Sequence, residues 1–371
     1  MAPSTSALFQ PLKLGASQLK HRIVMSPMTR LRADANHVPT DLIRQHYEQR
    51  TTDGGLIIVE GTLISPMAGN MPYAPGIWNK DQINAWKNVT DAVHAKGGII
   101  YNQLWHLGRA TSSTVMPNNV KPIAPSEIPI GVGEDFAGNK FETPRALATE
   151  EISTVIQEFA TAAKNAMEAG FDGVEIHGAS GYIVDQFIES GSNNRTDKYG
   201  GSIENRARFA LEVVDAVAAA VGDERTAIRF TPFDDYQDMH DDTPYETWGY
   251  IVDQLQQNHP NLSYLHMVEP RLNLAADGNK EDTQDSLDPF RAKWKGQFIA
   301  NGGYTYSLKL AHDTANTTGN LISFGRLYTS NPDLVDRIRN DYPLTKYDRS
   351  TFYGGDHTGY NDFPKYSVPQ Q

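Results

Sequence analysis

Apolar residues gather along this chain in eight short runs. They are RIVMSPM (22–28), GLIIVEGT (55–62), GIIYNQLW (98–105), GVEIHG (173–178), TAIRFTPF (226–233), YLHMVEP (264–270), QFIANGG (297–303) and NLISFGR (320–326). Within each run the apolar positions are continuous rather than alternating, the pattern of strands buried on both faces of a parallel sheet. Between the runs the period lengthens to that of a helix. Residues 82–96 read QINAWKNVTDAVHAK. Residues 150–168 carry Ile152, Val155, Ile156, Phe159, Ala163 and Met167 at helical spacing. Thr149 is the expected N-cap there, with Glu150 and Glu151 in the first turn, where negative charge suits the helix dipole. Residues 203–221 place Ile203, Ala207, Ala210, Leu211, Val214 and Val217 behind a Ser202 cap, and shorter helical patterns cover 243–257 and 305–317. Repeated β-then-α units predict an α/β fold, a (β/α)8 TIM barrel. A doubly wound sheet is the alternative, but the first strand runs into SPMTR instead of a glycine-rich turn.

Two segments break the alternation. Residues 107–148, rich in Pro, Asn and Gly, form a long excursion after the third strand, expected to pass over the barrel mouth. Residues 342–371 form a C-terminal extension rich in Tyr, Asp and Gly. The expectation is a single domain over residues 1–371 with its barrel at about 20–341.

Composition narrows the chemistry. Acidic residues number 45 and basic residues 33, a net charge of −12, with no basic cluster to neutralise phosphates, so no nucleic-acid partner is expected. The absence of Cys removes disulfides, thiolate metal sites and a thiol nucleophile. The opening MAPSTSALFQPLKLG lacks the basic-then-apolar order of a signal peptide, and no stretch approaches the roughly 18 apolar residues of a membrane helix. A cytoplasmic protein with no membrane partner is expected.

A barrel of this kind keeps its chemistry at the C-terminal ends of its strands. Those ends carry Thr29, Gly61, Gln103, His177, Arg229, Glu269, Gly302 with Gly303, and Gly325 with Arg326. None is a lysine, so a Schiff base has no candidate, and no histidine pair has metal spacing. The last two ends, NGGY and FGR, lie where such barrels hold a phosphate on backbone N–H groups, with Arg326 to add charge. The plain alternative is that these glycines only make tight turns. Gln103 offers both a donor and an acceptor to a heterocycle edge, and Arg229 a fixed positive charge. Each has a structural alternative, a backbone bond or an ion pair. Together at one mouth they favour a phosphate-bearing cofactor such as FMN. Glu175 and Glu269 raise a glycosidase-like carboxylate pair, but Glu175 lies two residues inside its strand end.

The chain resembles the Old Yellow Enzyme family of FMN-dependent ene-reductases, from about Leu8 to Tyr366. SNNRTDKYGGSIENRARF (192–209) and the preceding AGFDGVEIHGASGYIVDQF carry most of the resemblance. MSPMTRLRA, IVEGTLISP, QLWHLGR, SFGRLYTSNPDL and KYDRSTFY add to it, and Thr29 is similar to the fungal and plant side of the family. The resemblance implies that Pro27, Thr29, Gly61, Gln103 and Arg229 contact the flavin ring. It implies that Gly302, Gly303, Gly325 and Arg326 hold the phosphate, and that Phe352 and Tyr353 stand near the dimethylbenzene edge and substrate mouth. NADPH or NADH would be the reductant, docking on the flavin itself. His177 would polarise the carbonyl or nitro group of an α,β-unsaturated substrate. Hydride would pass from flavin N5 to Cβ, and Tyr182 would protonate Cα. One position departs from the family pattern: Ser180 stands where the family usually has His or Asn as a second donor. Losing such a donor costs on the order of 3 kcal/mol of transition-state stabilisation. An alternative keeps the flavin but assigns a reductase or isomerase dedicated to one step of a secondary-metabolite pathway. Either a monomer or a homodimer fits.

Overall fold

The computed structural model describes residues 6–273, 277–280 and 283–367. Eight parallel strands close into a barrel in chain order: β1 (Ile23–Met25), β2 (Leu56–Leu63), β3 (Ile99–Trp105), β4 (Gly173–Gly178), β5 (Thr226–Phe230), β6 (Tyr264–Val268), β7 (Phe298–Asn301) and β8 (Leu321–Phe324). β8 pairs with β1 through Ile322 opposite Ile23, which completes the ring. Every run predicted as a strand supplies one of these eight, and the parallel sheet explains why their apolar residues are continuous. One face of each strand meets the helices, and the other meets the barrel interior.

The lower interior is a small apolar core. Val24, Leu56, Ile58, Tyr101, Ala227, Tyr264, Ile299 and Leu321, all near strand starts, pack with Leu14 and Leu19. The last two come from an antiparallel hairpin, Leu12–Leu14 with Ser17–Leu19, that plugs the bottom of the barrel. Chemistry is thereby confined to the other end.

The helices follow the predicted pattern with shifted ends. Lys80–His94 begins at Asn79, whose side chain accepts from Gln82 N at 3.0 Å while Gln82 Oε1 accepts from Asn79 N at 3.3 Å. Ile152–Glu168 buries Ile152, Val155, Ile156, Phe159 and Ala163, with Met167 half-buried. Thr149 does not cap it. A short 3-10 turn, Thr149–Glu151, comes first, and the Thr149 hydroxyl donates to Asp197 instead. Ile203–Val221 is capped by Ser202 as expected. Pro244–Asn258 and Leu308–Thr318 cover the two shorter patterns. No helix among the described residues is long and apolar enough to cross a membrane.

Segment 107–148 crosses to the mouth of the barrel. Arg109 donates to the carbonyls of Ile128 at 3.1 Å and Gln237 at 3.0 Å, tying the segment to the β5 loop. The C-terminal segment returns to the same mouth. Arg30 donates through Nε to the Phe352 carbonyl at 2.8 Å and through Nη2 to that of Gly359 at 3.0 Å.

Candidate active site

A cavity of about 260 Å³ opens at the C-terminal ends of the strands. Its lining includes Pro27, Thr29, Gln103, His177, Ser180, Tyr182, Arg229, Gly302, Gly303, Gly325, Arg326, Phe352 and Tyr353. These are the residues expected from the sequence, with one exception. Gly61 does not line the cavity. A Cβ there would stand 2.7 Å from the Trp105 ring, so Gly61 makes room for Trp105, which does line it. The neighbouring register shift in β2, between Ile58 and Gly61, goes with this close approach.

One wall is a box of three rings. His177 ends β4, and its ring lies nearly parallel to Trp105, centroids 6.1 Å apart and planes 17° apart. Tyr182 stands edge-on to both, 4.8 Å from His177 and 4.9 Å from Trp105. Burial, with Arg229 next in importance, pushes His177 well below the usual imidazole range, so the ring is neutral. Its Nδ1 is buried and has no partner among the described residues. Burial likewise pushes the Tyr182 phenol well above its ordinary value, so it holds its proton at neutral pH.

The turn between these two rings places both. Ser180 and Gly181 take left-handed φ values of 56° and 76°. A Cβ on Gly181 would meet Met239 Cγ at 2.8 Å, so this position needs glycine for space as well as for φ. The turn is anchored from below: Ser180 N donates to Thr231 Oγ1 at 2.7 Å, and Gly181 N to Asp185 Oδ2 at 2.9 Å.

Beside His177, in register on the next strand, the lining turns cationic. Arg229, at the end of β5, is buried; its Nη2 reaches Asn301 Oδ1 at 3.4 Å, while its Nε has no partner among the described residues. A buried unpaired donor costs about 1–3 kcal/mol, which a ligand acceptor removes. Gln103 donates Nε2 to Glu175 Oε1 at 2.8 Å, so its carbonyl oxygen and one remaining N–H are left to a ligand. Where β7 and β8 end, Gly302 and Gly303 take φ of 105° and 79°, and a Cβ on Gly303 would lie 2.5 Å from Arg271 Nε. Arg326 lines the same end and donates to the Tyr306 hydroxyl at 2.8 Å. Glu175 and Glu269 do not line the cavity, so the glycosidase-like pair has no site here.

A closed parallel barrel holds here a slot with a box of rings, an underpaired guanidinium beside it and a glycine-arginine end. This is the mouth of a flavin-dependent oxidoreductase, and the unpaired Arg229 donor and glycine cradle fit an anionic, flat, phosphate-bearing group such as FMN. The chain belongs to the NADH:flavin oxidoreductase / NADH oxidase family, whose model matches residues 7–345, and within it to the Old Yellow Enzymes. It is 46% identical over 364 residues to 12-oxophytodienoate reductase 1 of Oryza sativa subsp. japonica, covering 98% of this chain and 94% of that one. It is 44% identical over 384 residues to flavin oxidoreductase hxnT of Emericella nidulans, covering 96% and 97%. Morphinone reductase solved in complex with tetrahydroNAD superposes with a TM-score of 0.89 at 42% identity, covering 97% and 98%. The chain is an FMN-dependent, NAD(P)H-using ene-reductase acting on small molecules.

Several lining residues went unmarked in the sequence. Trp105 could have been found, since it lies two residues beyond Gln103 and a strand returns to the same face every second residue. Asn301 directly precedes the glycine pair. Phe136 and Tyr236 lie on irregular segments with no period to reveal them.

Proposed function

We propose that His177 and Tyr182 carry the substrate half of the reaction, reduction of the C=C bond of an α,β-unsaturated carbonyl or nitro compound. The observation that carries this reading is the pairing of a neutral imidazole, its Nδ1 unpaired, with a protonated phenol whose ring is 4.8 Å away. His177 donates a hydrogen bond to the activating oxygen and draws charge from the β-carbon. Tyr182 gives its proton to the α-carbon. FMN held at this mouth would supply the hydride, with NAD(P)H as its reductant.

Pro27, Thr29, Gln103 and Arg229 hold the flavin ring in this reading. Gly302, Gly303, Gly325 and Arg326 hold its phosphate, and Phe352 and Tyr353 border the entrance. Gly61 acts through Trp105. The whole chain works as one domain in the cytoplasm, as monomer or homodimer, and its charge of −12 argues against nucleic-acid partners. A dedicated reductase or isomerase of one secondary-metabolite step is the second reading. It draws on Ser180, which shortens the second donor that simple enones use.

The test separates the two half-reactions. In Tyr182→Phe, reduction of the bound flavin by NADPH stays within a few-fold of wild type, while reoxidation by cyclohexenone slows by about 10²–10⁴. Reoxidation at the wild-type rate would remove Tyr182 from the chemistry.

A further inference from the structure

Beneath the cavity lies a carboxylate that the reaction above does not use. Glu175 is fully buried on β4, opposite Gln103 of β3, one strand repeat below His177. Burying an ionised carboxylate costs several kcal/mol unless donors surround it. Both oxygens are engaged: Oε1 accepts from Gln103 Nε2 at 2.8 Å, and Oε2 lies 2.8 Å from His266 Nδ1.

The directions of the bonds to the carboxylate are forced. A carboxylate only accepts, so the Gln103 amide must turn its nitrogen down and its carbonyl oxygen away from Glu175. His266 must carry its proton on Nδ1, which leaves Nε2 to accept from the Ser323 hydroxyl at 3.2 Å. Ser323 Oγ then accepts from Asn301 Nδ2 at 2.9 Å, and Asn301 Oδ1 is left to receive Arg229 at 3.4 Å. The network runs through five strands, β3, β4, β6, β8 and β7, and returns to Arg229 of β5, next to which His266 stands in register. Its single acid sets the direction of the two bonds it receives, from Gln103 and His266, while the Ser323 carbonyl, accepting from Asn301 Nδ2 at 3.2 Å, orients the Asn301 amide.

We propose that Glu175 is a positioning residue for the flavin: it fixes the Gln103 amide with its carbonyl oxygen toward the pyrimidine edge and offsets part of the Arg229 charge there. This rests on the FMN reading of the cavity. A ring imide N–H needs an acceptor, and an amide free to rotate would present its donor half the time. The negative charge acts in the other direction on the reduced, anionic ring. With Glu175 ionised, the net positive field of the Arg229 end is weaker than Arg229 alone would make it.

The test uses holoenzyme and reads the flavin itself. Glu175→Gln keeps the size and removes the charge. The expected result is a roughly tenfold shift in preference for reduced over oxidised FMN, a rise of about 30 mV in the two-electron potential. A change in the visible flavin bands and weaker binding of oxidised FMN accompany it. A purely structural role lowers the melting temperature and leaves potential and bands unmoved, and that result overturns the proposal. Glu175→Asp is the second variant, read whether or not Glu175→Gln folds. It keeps the charge but withdraws from Gln103, so FMN binding weakens several-fold; unchanged FMN binding in this variant also overturns the proposal. A wild-type chain that takes up no FMN overturns the cofactor reading, and this inference with it. A wild type that binds FMN beside variants that match it overturns the inference alone.

Discussion

Ser180 shows what a single position can and cannot tell. Its identity was legible, as a departure from the family pattern of His or Asn. Its backbone was not: φ is 56°, in the left-handed region that L-residues rarely adopt. Asn and His are among the side chains best tolerated there, so the family preference has a conformational reason besides the second hydrogen bond. Ser keeps neither advantage in full. Ser180→Asn is therefore expected to raise stability by about 0.5–1 kcal/mol and to increase kcat/KM on cyclohexenone roughly tenfold. Denaturant midpoints and steady-state rates check the two effects separately. A gain in stability with no gain in rate would leave the second donor without a role in this chain. Gln103 is the converse case. The sequence left both its donor and its acceptor open, and only Glu175, across the strand pair, decides which half faces the cavity.

At the scale of elements, periodicity was informative wherever the buried face is apolar. The helix Asp41–Arg50 escaped notice because half of its buried face is polar, His46 and Arg50 beside Ile43 and Tyr47. Arg50 donates to the carbonyls of Tyr328, Thr329 and Tyr360 at 2.7, 2.7 and 3.0 Å, and His46 stacks on Tyr360 at 3.9 Å. Helix and C-terminal segment thus fold against each other through long-range polar contacts that no local pattern encodes. The excursion gives the clearest functional consequence. Its Phe136 meets Tyr353 of the C-terminal segment edge-on at 5.0 Å, and both line the cavity while partly exposed. Two irregular segments thereby close one rim of the mouth. Phe136→Ala removes apolar surface that only a large substrate reaches. KM for a polycyclic enone is expected to rise about tenfold while KM for cyclohexenone changes less than threefold. Equal changes in both would place Phe136 outside substrate selection.

For the whole molecule, the barrel was readable because a doubly covered parallel sheet demands eight continuous apolar runs, and the chain displays them. The lining of the cavity at the mouth was readable because each strand end is marked by the close of a run. The network below it was not. Glu175 and His266 sit inside otherwise apolar runs, and nothing local shows that they meet across the barrel. The same holds for long-range polar ties outside. His259, at the end of Pro244–Asn258, lies 2.7 Å from Asp215 and 3.0 Å from Asp223. Burial works against its charge, but the bonds to Asp215 and Asp223 outweigh it, and the imidazole titrates above its ordinary value. Its stabilisation is therefore complete below the ordinary histidine value and is lost as pH rises through the folded one. It amounts to about 1 kcal/mol or less for so exposed a pair of partners. His259→Gln should lower Tm at pH 5 and approach wild type at pH 9; an equal deficit at both would deny the ion pairs any part.

All of these scales converge on a flavin held at the barrel mouth. The most direct measurement is the visible absorption spectrum of the purified protein without oxygen, before and after NADPH and then after cyclohexenone. Flavin bands that bleach with NADPH and return with the enone are the predicted result. A colourless protein that cannot be reconstituted with FMN would contradict the account at its centre.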